Sequence, residues 1–165
     1  MKLRLIASLR WLAELAVLGG AVIACTLPAA YEYPGRARQA LVTFFAQLSR
    51  GEYAQAAELY GGDYTQLEIL GPDLDPADRA ALWQNACEKS GLQCLPVASA
   101  AFVGSAGDIF AFTVEFRKPD GNVFALAPCC GEPGFLDPPM AGFVLRVGRT
   151  PEGAFVVLDL PIYQP

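Results

Sequence analysis

A chain of 165 residues is long enough for one domain with a sizeable buried core, and it is acidic, with 12 Lys and Arg against 17 Asp and Glu and a formal net charge of −5. Nucleic acid is not expected as a partner, because the basic residues are scattered and form no basic stripe. Histidine is absent, which removes the usual general base, the commonest metal ligand and any catalytic triad that depends on imidazole.

The start of the chain has the pattern of a membrane-targeting segment. Basic residues precede an apolar stretch that carries no charge over residues 15–30, as in a secretory signal or an anchor whose basic end stays in the cytoplasm. Either outcome exports the rest of the chain. We therefore predict a signal or transmembrane helix over 1–30, a hinge over 31–35 and a membrane-anchored domain over 36–165 on the extracytoplasmic side.

Cys25 leaves the form of the tether open. The sequence Val-Ile-Ala-Cys that ends at Cys25 resembles the lipobox of bacterial lipoproteins, in which a cysteine becomes lipid-modified after cleavage. Glu14 beside the apolar core, and the apolar continuation after Cys25, favour an uncleaved spanning helix instead. An uncleaved anchor, a lipoprotein and soluble secretion therefore stand as alternatives.

Helical spacing marks the first part of the domain. Apolar residues at this spacing predict an amphipathic helix that ends at Gly51 and a shorter one from Tyr53 to Tyr60. A Pro-rich acidic linker follows. Asp75 and Pro76 then predict the cap and the first position of a third helix, which closes at Gly91.

Strands dominate the second half, where the apolar period changes to two. Alternation over residues 110–116 predicts a strand with one buried face. Turn residues at 119–122 predict a connection to a second strand over 123–127, and those at 150–153 predict another hairpin. Helices followed by antiparallel strands predict an α+β fold with N-terminal helices packed on one face of a curved sheet.

Three stretches carry a resemblance to a known superfamily. Ala-Leu-Val-Thr-Phe-Phe at 40–45 and Gly-Glu-Tyr-Ala-Gln-Ala-Ala-Glu-Leu-Tyr at 51–60 resemble the opening of nuclear transport factor 2-like domains. Phe-Val-Val-Leu-Asp-Leu at 155–160 is similar to the strand that closes that cone-shaped fold. The resemblance covers residues 36–163 and rests on pattern rather than on an invariant signature. It implies a cone-like domain similar to small exported bacterial members without an assigned reaction.

Enzymes of that superfamily, such as ketosteroid isomerase and scytalone dehydratase, carry acid and base groups in the open mouth of the cone. The resemblance implies the same place for the candidates here, which are Tyr60, Asp63, Tyr64, Glu115 and Asp159. A carboxylate beside a tyrosine in an apolar pocket can abstract and return a proton without histidine. The alternative is packing for the tyrosines and an exposed position on the outer face of the last strand for Asp159.

Four cysteines remain when Cys25 is set aside, and outside the cytoplasm an even set predicts disulfides. Pairing Cys87 with Cys94 would leave Cys129 and Cys130 to form an adjacent bridge, whose ~3.8 Å Cα separation is below the usual disulfide range. We therefore favour bridges between the two pairs. The spacings do not match a four-thiolate zinc site, so we expect no metal, and a redox-active adjacent pair is the other alternative.

Two functions follow from these patterns. We favour a membrane-tethered extracytoplasmic interaction module without metal or cofactor, which needs only a concave apolar mouth or an exposed sheet face. Its partner would be a protein or a small apolar ligand in the cone. The alternative is a histidine-free acid/base enzyme of the ketosteroid isomerase or dehydratase type, which needs Asp159 or Glu115 beside a tyrosine in a deep pocket.

Overall fold

Four helices precede four strands in the part of the chain that the computed structural model describes, residues 29–126 and 139–164. The helices are α1 (Ala29–Ser49), α2 (Tyr53–Glu58), α3 (Thr65–Leu70) and α4 (Arg79–Glu88). The strands β1 (Val97–Ala106), β2 (Ile109–Phe116), β3 (Phe143–Arg149) and β4 (Phe155–Val157) form one antiparallel sheet in the order β1-β2-β3-β4. The predicted α+β class, with helices packed against an antiparallel sheet, is confirmed.

The predicted membrane-targeting helix lies almost entirely outside the described residues, which begin at Ala29. Within the part that is described, no helix has both the length and the hydropathy needed to span a bilayer. Residues 31–35, predicted as a hinge, are helical instead. They belong to α1, and Pro34 lies inside that helix, where its missing N–H withdraws one backbone hydrogen bond without ending the helix.

One stripe of α1 is completely buried. Its inward residues are at most 2% exposed, and they are Ala37, Leu41, Phe44, Phe45 and Leu48. The ring of Phe45 lies 4.8 Å from that of Phe116 in β2, centroid to centroid. This contact joins the helical layer to the inner face of the sheet, and the predicted amphipathic helix is confirmed.

Strand β2 shows the predicted alternation. Phe110, Phe112, Val114 and Phe116 are buried on the helical side, and the residues between them point to the opposite side of the sheet. The predicted hairpin between β3 and β4 is also confirmed, with the N–H of Thr150 donating to the carbonyl of Ala154 at 2.8 Å.

Two predicted element boundaries in the helical half are wrong. The Pro-rich acidic linker contains a helix, α3, which follows a turn in which the Asp63 carboxylate accepts from the N–H of Thr65 at 3.0 Å. The cap of α4 is Asp78 rather than Asp75, since its carboxylate accepts from the N–H of Ala81 at 3.0 Å. Asp75 instead closes a local turn by accepting from the N–H of Ala77.

The predicted strand over 123–127 is also wrong. Its turn forms, with Gly121 at φ +84° and the N–H of Lys118 donating to the carbonyl of Asn122 at 2.8 Å. The described residues after the turn make only isolated bridges, from Val123 to Arg117 and from Leu126 to Met140. Pairing at single points does not propagate into a ladder, so no named strand results.

The edge of the sheet at β4 is closed by the chain that follows α2. Val157 donates its N–H to the carbonyl of Leu59 at 2.8 Å, and Gly61 donates to the carbonyl of Val157 at 2.9 Å. This short parallel pairing satisfies edge groups of β4 that would otherwise face water. It requires the backbone at Gly61 and Gly62 to approach the end of β4 closely, which only glycine permits.

Substitution of Gly62 by alanine tests this close approach. A Cβ at Gly62 would overlap the carbonyl oxygen of Leu158 and lie 2.5 Å from Oη of Tyr60. Because the backbone would have to shift, we expect the free energy of unfolding to fall by roughly 1–3 kcal/mol in urea denaturation. Gly104→Ala is the control, since a Cβ there meets nothing within 4 Å. Equal losses in the two variants would contradict this account.

Candidate functional site

Tyr60 and Tyr64, two of the candidate residues, lie together in a cluster of aromatic rings between α1 and α4. Their ring centroids are 5.1 Å apart in an edge-to-face arrangement. Tyr60 also stacks on Phe44 at 5.9 Å and meets the edge of Trp83 at 5.0 Å. Phe44 and Trp83 are fully buried, and Tyr60 is only 7% exposed. The rings fill this part of the helical layer with apolar contacts.

The polar side-chain atoms of this aromatic cluster have hydrogen-bond partners. The Tyr60 phenol donates to the backbone carbonyl of Asp63 at 3.1 Å. The indole N–H of Trp83 donates to Oη of Tyr64 at 3.4 Å. The guanidinium of Arg79 lies 3.9 Å above the Tyr64 ring, a cation–π contact. These contacts agree with packing, the alternative already given for the tyrosines.

The environment of Tyr60 changes its acidity. Burial raises the pKa of Tyr60 above the ordinary tyrosine value, and the nearby groups Tyr64, Asp159 and Asp63 raise it further, in that order of importance. A phenol with a raised pKa keeps its proton at neutral pH. Tyr60 therefore serves as a hydrogen-bond donor and not as a base under physiological conditions.

Glu115 lies on the side of the sheet that faces away from the helices. We call this side the outer sheet face and define it by the outward residues of β1, β2 and β3, which include Ala101, Thr113 and Val144. On this face, the Glu115 carboxylate accepts a hydrogen bond from the hydroxyl of Ser99 at 2.8 Å. It is thus separated by the sheet from the aromatic cluster, whereas the prediction required it to point into the cone.

Asp159 is held by Arg146, an exposed residue of β3. Its carboxylate accepts from the backbone N–H of Arg146 at 2.6 Å and from the guanidinium at 2.5 Å. Because Arg146 points to the outer sheet face, this ion pair engages the carboxylate beside the sheet rather than with the tyrosines. The structure therefore brings the two tyrosines together and places Asp159 near enough to raise the pKa of Tyr60. The hydrogen-bond partners of the two carboxylates are nevertheless Arg146 and Ser99, not the tyrosines.

Asp63 has a local structural role in the turn before α3. Its carboxylate accepts from the N–H of Thr65 and from the Thr65 hydroxyl at 2.8 Å. These hydrogen bonds hold the pKa of Asp63 below its usual value. Within the described ranges, no three side chains of the His, Cys, Asp or Glu type are grouped so that they could hold a metal ion.

The cysteine pairing differs from the one we favoured. Cys87, in α4, is bonded to Cys94, with a Cα–Cα distance of 5.5 Å that suits a disulfide. The bridge between this pair and Cys129 or Cys130 is therefore wrong. The physical reason for the observed pairing is that the chain turns back after α4 at Gly91, where φ is +83°, so Cys94 returns to Cys87. Cys25, Cys129 and Cys130 lie outside the described residues.

The outer sheet face was not singled out from the sequence. Ala101, Thr113 and Val144 are cross-strand neighbours there, and Val144 is 63% exposed. Small and β-branched residues dominate the centre, while the Ser99–Glu115 and Arg146–Asp159 pairs lie beside them. The signal in the sequence was weak, because small residues at alternate positions are also what an ordinary exposed strand contains.

Compared with protein-family models, with curated proteins and with solved structures, the chain matches none. The resemblance to nuclear transport factor 2-like domains therefore stays a prediction that rests on the sequence pattern.

Replacement of Tyr60 by phenylalanine tests the environment of the phenol. Because the pKa of Tyr60 is raised in the folded state, the unfolded chain releases this proton first as the pH rises past about 10. The stabilising contribution is complete below that pH and is lost as the pH approaches the folded pKa. We therefore expect unfolding free energies above pH ~10 to fall more steeply in the wild type than in Tyr60→Phe, as measured by urea denaturation. Parallel curves would show that the phenol is as solvated as in the unfolded chain.

Proposed function

We propose that this chain is a membrane-tethered, extracytoplasmic interaction module that binds a protein partner through its outer sheet face and has no catalytic role. The observation that carries this proposal is the exposure of an apolar centre on that face, at Ala101 and Val144. We further propose that the helices and sheet form the cone-like domain implied by the nuclear transport factor 2-like resemblance. A small apolar ligand in the cone is the other class of partner.

The chemistry of the outer sheet face supports a flat protein partner. Arg146, the charged residue nearest to Val144 along β3, already pairs with Asp159, and the Glu115 carboxylate accepts a hydrogen bond from Ser99. A partner can therefore cover Val144 without leaving a new buried charge unpaired. Small residues such as Ala101 allow close approach of the partner's surface, and exposed apolar area rimmed by polar groups is typical of interaction sites.

The hydrogen-bond partners of Tyr60 and Asp159 support a non-catalytic role. An acid/base mechanism needs a carboxylate within hydrogen-bond reach of the substrate and of a proton donor in one pocket. Tyr60 donates to the backbone carbonyl of Asp63, and the carboxylate of Asp159 is bound by the guanidinium of Arg146.

The sequence of the membrane-targeting segment supports the tether, because basic residues precede the uncharged stretch over 15–30.

The tether is tested on the full chain in membranes. We expect the protein to stay in the membrane pellet through an alkaline wash, since an apolar helix or a lipid holds it there. Protease added to the extracytoplasmic side should digest the domain. The mass of the mature chain separates the two forms of tether: a spanning anchor keeps Met1, whereas a lipoprotein begins at Cys25 and carries a lipid on that residue. Recovery of the wild type in the soluble fraction would contradict the tether.

The docking surface is tested with a photoreactive residue in the full chain. Placed at Val144, this residue should give a covalent product with a partner in the native membrane. The control position is Ile69, which is equally exposed at 63% but lies on α3, and there we expect no product. Thr113→Asp, beside Val144 on the same face, should abolish the product because it puts a charge into the apolar contact. Equal yields at the two positions, or none at Val144, would overturn the proposed surface.

A further inference from the structure

The two edges of the sheet are treated differently. Strand β4 has three residues and is closed by backbone hydrogen bonds to Leu59 and Gly61. Strand β1 has ten residues and lies at the other edge. There the carbonyl of Ala100 accepts from Nε of Arg38 at 2.9 Å, and Arg38 is an exposed side chain. An exposed side chain is a replaceable partner for an edge carbonyl, unlike the backbone that closes β4.

The composition of β1 does not protect its edge. Residues 97–106 include no charged residue and no proline, although charges and proline are the usual means by which proteins keep edge strands from pairing. Phe102 and Val103 are 47% and 61% exposed. Register shifts against β2 after Val97 and after Phe102 leave a regular stretch over residues 99–102 between them.

We propose that β1 pairs antiparallel with β1 of a second copy of this chain, so that two sheets join edge to edge about a two-fold axis at Ala101. The contact with Arg38 shows that the carbonyl of Ala100 points to the open edge. By the two-residue period of a strand, the polar backbone groups of Phe102 point the same way. The axis then places Ala100 opposite the partner's Phe102, and the two residues exchange N–H···O bonds twice across the interface.

Side chains complement this backbone pairing. Ala100 and Phe102 are paired with Val114 and Phe112 of β2, so both point to the inner face. The two-fold axis places the large ring of Phe102, which is half exposed in a single copy, next to the small side chain of the partner's Ala100. Both rings thus gain a neighbour without a clash. The backbone N–H of the partner's Phe102 replaces Nε of Arg38 as the donor to the Ala100 carbonyl.

The charge distribution makes β1 the place where two copies of this acidic chain can meet. The chain has a net charge of −5, so most of its surface opposes self-association. The uncharged β1 is a region where two copies can meet without like charges in contact. The inference deepens the interaction role proposed above and rests on its tether, which would raise the local concentration of copies in one membrane. Edge pairing would also make the two outer sheet faces continuous.

Charge exchange at the axis tests the pairing. Ala101 is exposed on the outer sheet face, so Ala101→Lys or Ala101→Asp fits the single chain but sets like charges opposite each other at the axis. We expect each variant alone to raise the dimer Kd of the full chain by about fivefold in sedimentation experiments in detergent micelles. An equimolar mixture of the two variants should regain dimers, because opposite charges then meet at the axis.

The control is Val144→Lys, which adds the same charge to the same face on β3, away from the edge. It should dimerise like the wild type even if it loses the partner crosslink at the outer sheet face, so failure of the docking surface and failure of edge pairing give different results. A wild-type chain that stays monomeric, an unaffected Kd in Ala101→Lys, or a mixture that does not regain dimers would each overturn the inference.

Discussion

Burial of one stripe of α1 against the inner face of the sheet is the constraint on which the rest of the structure depends. Phe45 meets Phe116 across this interface, and each neighbouring strand must turn its own apolar residues to the same side. Because side chains alternate along a strand, fixing one face inward fixes the other outward. The position of Glu115, the candidate residue within a strand, follows from this single choice.

This constraint explains why the sequence predicted the helices and strands better than the site. The periods of α1 and β2 are strong signals, and both elements lie where those periods place them. The same period puts Glu115 on the outer sheet face, one position from the buried Val114. That placement could have been read from the alternation alone. The position of Asp159 could not, because it depends on the ion pair with Arg146, a residue of the preceding strand.

Features decided by distance or by short-range turn chemistry were harder to predict. Cysteine connectivity requires Cα separations, and spacing gave no means to choose Cys94 as the partner of Cys87. Helix α3 has six residues in a segment whose prolines and acids are typical of a linker. Asp75 and Asp78 both have the side chain of a helix cap, and the structure uses the second. Local composition does not separate such alternatives.

The closure of β4 by Leu59 and Gly61 has a consequence for the order in which the chain folds. These residues stand near the start of the domain and Val157 near its end, so their hydrogen bonds close one of the longest loops in the chain. Ordering so long a loop costs entropy that only a largely assembled core can offset. The β1–β2 hairpin needs no such closure. We therefore expect the β4 edge to be the last part of the sheet to be completed during folding and the first to open when the domain fluctuates.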